Sequence, residues 1–296
     1  SMTLGAAATE LRRKPDVTLT KAADVAASAL LRGARGNSGV ILSLLFRGVA
    51  KSLKGRETAS AAEFAAAVSA GVDAAYKAVM KPAEGTILTV SRLGAQAAVA
   101  FAKDSTDFEG MLDALLAAAR EALADTQDIN PVLRRAGVVD AGGEGFVLVM
   151  DAMLGYLQGR TAAPVTSAAP AAAQASKEGA DFSEFDTGEI TFGYCTEFIV
   201  ARENSKSPEL LRSFLKNLGD CVVVVDDDEI IKVHVHTNVP GEVLTEALTY
   251  GPLQTVKIEN MRNQHTALSG KETEAEAAAK AEAEPEVAKP EKQFGV

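Results

Sequence analysis

The feature that most constrains the fold is a change in the spacing of apolar residues along the chain. Up to about residue 158 they recur every three to four positions, which predicts amphipathic helices, whereas shorter strand-like runs appear beyond residue 188. The stretch between them is rich in Ala, Pro and Ser, a composition typical of a linker. The predicted organisation is a helical domain (1–158), a linker (159–187), an α+β domain (188–268) and a charged low-complexity tail (269–296).

The helical part is predicted to be an up-and-down α-helical barrel, because consecutive long helices with short connections lie antiparallel. We expect INPVLRRAG (129–137) to be a short extension rather than a full crossing. The helices are predicted at 2–13, 20–32, 39–54, 60–79, 86–102, 107–124 and 144–158.

The later part alternates strand-like and helical segments in the order β-α-β-β-α-β, which predicts a ferredoxin-like domain. The acidic run DDDE (226–229) is expected to be a hairpin turn. The predicted segments are 190–201, 208–219, 221–228, 229–237, 241–251 and 253–261.

Charge and composition exclude several classes of function. The formal net charge of −10 argues against binding to nucleic acid or to an anionic membrane surface. No apolar run is long enough to span a membrane, and no signal peptide is evident. With two cysteines there is no disulfide framework, so we expect a cytoplasmic protein.

Three glycine-containing breaks precede predicted helices: GARGNSG (33–39), KPAEGT (81–86) and GVVDAGGEG (137–145). The first is neither a Walker A loop nor a Rossmann fingerprint. Asn37 and Ser38 are good N-cap types, and the free amides of a helix start attract anions, so this segment is a candidate phosphate cradle. The alternative is a tight turn with a glycine cap. Two long antiparallel helices separate each break from the next, so all three breaks are expected at the same end of the bundle. That placement favours a shared ligand site.

The segment VHVHT places His234 and His236 on one face of a strand. In a ferredoxin-like sheet the first and third strands are neighbours, so Cys195 can approach both imidazoles. One thiolate and two imidazoles suit zinc. The alternative is a pair of half-exposed histidines beside an inert cysteine. Cys221, expected in the core, and His265, expected at the surface, are weaker candidates.

The sequence resembles bacterial fatty acid kinase catalytic subunits, which combine a dihydroxyacetone-kinase-like nucleotide domain with a middle domain. The resemblance covers nearly all of residues 2–268 and is carried by LLRGARGNSGVILSLLFRG, KPAEGTILTV, RRAGVVDAGGEGF, GYCTEFIV and VKIENMRNQH. It implies a helical barrel that binds ATP at one end and zinc on the residues matching Cys195, His234 and His236. The nucleotide-binding residues that it implies are Gly36, Asn37, Ser38, Gly39, Gly85, Thr86, Asp140, Gly142 and Gly143. Whether Arg32 and Arg35 contact phosphate or solvent is left open.

One family element is not found. The family's aspartate-rich loop, whose carboxylates hold Mg²⁺ on the ATP phosphates, would precede the segment matching Met2. Phosphoryl transfer between anions needs divalent metal, so we expect this polypeptide, shortened at both ends relative to the family, to be catalytically dead or crippled. We also expect one wall of the barrel to be open, with apolar surface exposed.

The leading hypothesis is an ATP-dependent kinase subunit that phosphorylates the carboxylate of a fatty acid presented by a lipid-binding partner protein. The alternatives are a non-catalytic, zinc-binding assembly protein and a dihydroxyacetone-type kinase subunit. A homodimer is left open, and the acyl-chain preference does not follow from the residues.

Overall fold

The computed structural model describes residues 2–79, 81–160 and 191–262. The predicted linker lies almost entirely outside these ranges, since only residues 159 and 160 of it are described. The predicted tail and His265 lie entirely outside them. No helix among the described residues is long and apolar enough to cross a membrane.

Long helices make up the first part of the chain, as predicted. Each helix from α1 to α6 packs against the next, and α9 packs against α5 and α6. The segment after α6 forms two short helices, α7 and α8, which agrees with the short extension predicted there. The helices are α1 (Met2–Arg12), α2 (Leu19–Gly33), α3 (Gly36–Ser52), α4 (Ala61–Ala78), α5 (Ile87–Asp104), α6 (Phe108–Ala124), α7 (Thr126–Ile129), α8 (Pro131–Ala136) and α9 (Ala141–Leu157).

The second part contains a four-stranded antiparallel sheet with the strand order β2-β3-β1-β4. Its elements follow the predicted order of strands and helices along the chain, and residues 227–229 form the turn between β2 and β3. The elements are β1 (Tyr194–Ala201), α10 (Pro208–Leu215), β2 (Gly219–Asp226), β3 (Ile230–Thr237), α11 (Pro240–Leu248) and β4 (Leu253–Asn260).

Successive side chains along each strand point to opposite faces of the sheet, and both faces contain buried residues. One face packs under α10 and α11, where Phe198 and Val233 join Leu211 and Val243 in a separate core. The opposite face joins the core of the helical part through Ile199, Val223, Val225 and Ile230. The sheet therefore packs directly on the helices.

An apolar groove lies between α1, α6 and α9, with a volume of about 580 Å³, and Leu4, Phe108 and Met153 contribute to its walls. On α9, Leu148 is 62% exposed and Tyr156 84% exposed. The open wall of the barrel expected from the sequence stays a prediction.

Candidate functional site

The starts of three helices meet at one end of the helical part. Ser38, in the first turn of α3, lies so close to α9 that a Cβ added to Gly142 would be 2.7 Å from Ser38 Oγ. Asp140 caps α9, with its Oδ2 accepting a 2.7 Å hydrogen bond from the Gly143 amide. The backbone amide of Ile87, the first residue of α5, lies near enough to the same carboxylate to lower its pKa. Burial raises the pKa of Asp140, although both amides oppose the shift.

The glycine segment before α3 differs in detail from the prediction. Asn37 and Ser38 are not N-caps, because the helix begins at Gly36 and its N-cap is Arg35, which makes no side-chain capping bond. Gly36 has φ +61°, a left-handed conformation that favours glycine. Gly39 permits close packing, since a Cβ there would be 2.9 Å from Thr3 Oγ1. These residues therefore form the first helical turn rather than a free loop.

The second glycine segment is held by a polar network that the sequence did not indicate. Glu84 accepts hydrogen bonds from Tyr76 Oη at 3.0 Å, Thr89 Oγ1 at 2.6 Å and Arg92 Nη2 at 2.9 Å. Thr89 Oγ1 also accepts from the Gly85 amide at 2.8 Å. Burial opposes ionisation of Glu84, but the three donors outweigh it and lower its pKa.

Gly85 and Thr86 are positioned by this network at the start of α5. Gly85 has φ +70°, and a Cβ there would be 3.0 Å from Asn130 and from Ile129. Thr86 caps α5, its hydroxyl accepting a hydrogen bond from the Leu88 amide at 3.3 Å. The second segment is thus a fixed turn beside α7 and α8.

A candidate metal centre lies on the sheet face that packs against the helices. One ligand atom each from Cys195, His234 and His236 lie within 4.8 Å of one another. The two imidazole Nε2 atoms are 3.2 Å apart, close to the roughly 3.3 Å separation of two nitrogen ligands on a tetrahedral zinc ion. The register explains the grouping, because Cys195 pairs directly with His236 across β1 and β3.

Each imidazole also faces a carboxylate through its other nitrogen. His234 Nδ1 is 2.9 Å from Glu197 Oε1, and His236 Nδ1 is 3.4 Å from Asp220 Oδ1. Carboxylates in these positions leave both Nε2 atoms available to a metal, the usual arrangement around protein zinc sites. Burial lowers the pKa of His236, which favours the neutral imidazole that metals bind. Burial raises the pKa of Cys195 to about 11, so metal binding there releases a proton.

Cys221 is not in the core, contrary to the sequence-based expectation. It is exposed, has φ +49° and lies at the irregularity between Asp220 and Val223 in the pairing of β2 with β3. With Asp220 and His236 it forms a second group of donor atoms that lie within 4.8 Å of one another. The bulge turns this side chain out of the sheet core.

Glu197, which the sequence analysis did not select, connects the metal centre to the glycine segment. Its Oε1 accepts a 2.8 Å hydrogen bond from the Gly36 amide, so the α+β domain supplies the cap that α3 lacks in its own sequence. Burial opposes ionisation of Glu197, but the contact with His234, the Gly36 amide and the charge of Lys232 together outweigh it and lower the pKa of Glu197. The one available signal was its position two residues after Cys195, on the same strand face.

The two arginines of the glycine segment differ in their surroundings. Arg32 forms an ion pair with Glu229 in the turn between β2 and β3. Arg35 lines a cavity between the helices and the sheet together with Lys232, whose ammonium group donates a 2.7 Å hydrogen bond to the Ala34 carbonyl. Burial lowers the pKa of Lys232 to about 8.

Comparison with known proteins agrees with this two-part organisation. Residues 1–155 match the DAK2 domain, and residues 191–268 match the FakA-like middle domain of fatty acid kinase. Protein YloV of Bacillus subtilis is 42% identical over 279 residues, which cover 92% of this chain and 50% of YloV. The uncharacterized protein SSP1546 of Staphylococcus saprophyticus is 43% identical over 246 residues, covering 82% of this chain and 45% of that protein.

The chain therefore spans about half the length of the curated relatives that it matches. The chain belongs to the DAK2-domain proteins and is similar to the catalytic subunit of bacterial fatty acid kinase.

Proposed function

We propose that this chain is an ATP-dependent kinase subunit that phosphorylates the carboxylate of a fatty acid presented by a separate lipid-binding protein, giving an acyl phosphate. The observation that carries the nucleotide part is the meeting of the starts of α3, α5 and α9 around Ser38, Ile87 and Gly142. Free amides and positive helix ends converging on one point favour phosphoryl oxygens. The family match supports a kinase-type phosphotransferase.

Within this proposal the nucleotide phosphates contact the first turns of α3 and α9, where Ser38 supplies a hydroxyl and Gly142 leaves room. Asp140 orders the start of α9 and joins it to α5. The Gly85–Thr86 turn, fixed by Glu84, closes the side of α5. The finer fold assignment belongs to the same proposal: a helical barrel of the dihydroxyacetone-kinase type followed by a ferredoxin-like domain, supported by the helix order and the β2-β3-β1-β4 sheet.

Magnesium is part of the proposed chemistry, because it neutralises charge on the phosphoryl group in transfer. In the described part of the helical domain, no group of three acidic or histidine side chains is close enough to hold a metal ion. The Asp140 carboxylate accepts a hydrogen bond from the Gly143 amide and caps α9. We therefore propose that residues 1–296, tested by themselves, turn over slowly.

Zinc is the second proposed cofactor, held by Cys195, His234 and His236. It would fix the part of the sheet that contacts the start of α3 through Glu197. When bound it supplies a structural cross-link between β1 and β3. Its place next to α3 supports a role in positioning the nucleotide segment.

The proposal is tested by incubating the chain with Mg²⁺, ATP and a fatty-acid-loaded partner protein, and trapping acyl phosphate with hydroxylamine. ADP binding is measured in parallel by calorimetry. We expect ADP to bind and acyl phosphate to form slowly. Absence of ADP binding would reject the kinase proposal, and acyl phosphate formation at the roughly 1–100 s⁻¹ typical of kinases would reject the magnesium argument.

A further inference from the structure

A cavity of about 540 Å³ lies between the start of α3 and the sheet, at the edge formed by β4. Its charged lining comes from both domains: Arg35 from the N-cap of α3, Lys232 from β3, Lys257 from β4 and Glu197 from β1. We call it the interdomain cavity. None of Ser38, Thr86, Asp140 and Gly142 lines it, so it is distinct from the meeting point of the three helix starts.

The single carboxylate that lines the interdomain cavity is engaged through one oxygen, whereas its Oε2 is buried without a hydrogen-bond partner among the described residues. Glu197 Oε1 accepts from the Gly36 amide and faces His234 Nδ1, at 2.8 and 2.9 Å. Glu197 forms no ion pair within 4.0 Å with either Lys232 or Arg35 among the described residues. Neither Lys232 nor Arg35 is therefore neutralised by a direct ion pair among the described residues.

Lys232 has the greatest need of a compensating negative charge, because its side chain is almost completely buried, with 3% of the residue exposed. Among the described residues, its ammonium group has one hydrogen bond, to the uncharged carbonyl oxygen of Ala34. An ammonium group carries three donors, so two remain available. Glu197 attracts this charge without forming an ion pair within 4.0 Å. A buried charge without a direct ion pair is costly, and an anion in the cavity would lower that cost.

Arg35 also lines the cavity and has no ion pair within 4.0 Å among the residues described here. Lys257, by contrast, is paired with Glu259 at 2.8 Å. The two unmatched cations, one from each domain, balance the two negative charges of a phosphoryl group. The planar guanidinium of Arg35 suits a bidentate contact with phosphoryl oxygens, and the ammonium of Lys232 suits a point contact.

We propose that the interdomain cavity binds a phosphoryl dianion, held between Arg35 of the helical domain and Lys232 of the α+β domain. The phosphoryl group can belong to free phosphate, to an acyl phosphate or to a nucleotide, and these share the same recognising chemistry. Because each domain supplies one cation, the bound anion also draws the two domains together. The inference does not depend on the kinase activity proposed above.

The test is calorimetric titration of the zinc-supplemented chain with inorganic phosphate, for the parent protein and for Arg35→Gln, Lys232→Met and Arg47→Gln. Arg47 is the matched control, since it lines a different cationic cleft between α3 and the sheet. We expect Arg35→Gln and Lys232→Met each to weaken phosphate binding by about tenfold or more, and Arg47→Gln to change it by less than about twofold.

Equal phosphate affinity in all four proteins, or an equal loss in Arg47→Gln, would overturn the proposal, as would absence of phosphate binding to the parent chain. Arg35 is exposed, so its variant keeps the test valid if Lys232→Met folds poorly. Competition by acetyl phosphate or by ADP identifies the source of the phosphoryl group. Competition by neither assigns the cavity to free phosphate.

Discussion

The backbone amide of Gly36 donates a 2.8 Å hydrogen bond to the carboxylate of Glu197, which is 161 residues away along the chain. The same carboxylate oxygen lies 2.9 Å from His234 Nδ1. One oxygen atom therefore joins the start of α3 to an imidazole of the candidate metal centre. Any change at Glu197 is expected to affect both.

We expect Glu197→Gln to weaken zinc binding by about tenfold to a hundredfold, because a neutral amide is a poorer partner for a metal-bound imidazole than a carboxylate. Competition with a chromogenic chelator measures the affinity. Glu229→Gln is the matched control: Glu229 also joins the two domains, through Arg32, but its side chain is 75% exposed. Equal zinc affinity in the two variants would show that Glu197 does not support the metal centre.

The contact between Glu197 and Gly36 could not be predicted from the sequence, although part of the metal centre could. Strand alternation was enough to place His234 and His236 on one face, and the expected neighbourhood of the first and third strands brought Cys195 to them. Glu197 lies on the same face, but its second partner belongs to another domain. The spacing of apolar residues predicts the helices and strands of each domain, but it contains no information about how one domain packs on the other.

The helix starts show a second limit. Periodicity located α3 and α9 within a few residues, but it placed Asn37 and Ser38 before the helix rather than in its first turn. The usual signal for a helix start is a capping side chain next to it in sequence. Here the carboxylate that accepts the hydrogen bond from the Gly36 amide belongs to Glu197, in another domain. The sequence next to the helix start therefore contains no capping signal.

Zinc content distinguishes the two overlapping groups of donor atoms, which share His236. We expect one zinc ion per chain in protein purified without chelator, lost in Cys195→Ser and retained in Cys221→Ser. The reason is that Cys195 lies with both imidazoles, whereas Cys221 is exposed and groups with Asp220 and only one of them. Elemental analysis provides the measurement. Loss of zinc in Cys221→Ser with retention in Cys195→Ser would assign the metal to the other group.

The Glu84 network predicts a pH-dependent contribution to stability. The pKa of Glu84 is lowered in the folded protein, so its stabilisation is present above the ordinary value of 4.5 and is lost as the pH falls through the folded-state pKa. We expect Glu84→Gln to cost up to about 1 kcal/mol at pH 7, a value kept small because the side chain is 48% exposed. The difference from the parent chain should shrink below pH 4.5.

Urea unfolding at pH 7 and at about pH 4 measures this difference. Glu121→Gln is the control, because Glu121 is an exposed residue on α6 and surface substitutions usually change stability by less than about 0.5 kcal/mol. A Glu84→Gln effect that is equally large at both pH values would mean that the loss comes from packing rather than from the carboxylate charge.

The meeting point of the helix starts is tested most directly at Ser38. Ser38→Glu places a carboxylate beside Gly142, where the proposed nucleotide phosphates lie, so charge repulsion should weaken ADP binding by about tenfold or more. A carboxylate in the first turn of a helix is favourable to the helix itself, so stability should not fall. Weaker binding without lower stability therefore separates an effect on the ligand from an effect on the fold.

Ser52→Glu, at the last residue of α3, is the matched control for this substitution. It adds the same charge to the same helix but at the opposite end, about 21 Å away at 1.5 Å per residue. We expect its ADP affinity to stay within about twofold of that of the parent chain, since charges that far apart are largely screened at physiological salt. If Ser38→Glu bound ADP as well as Ser52→Glu does, the phosphates would not lie at the starts of α3 and α9.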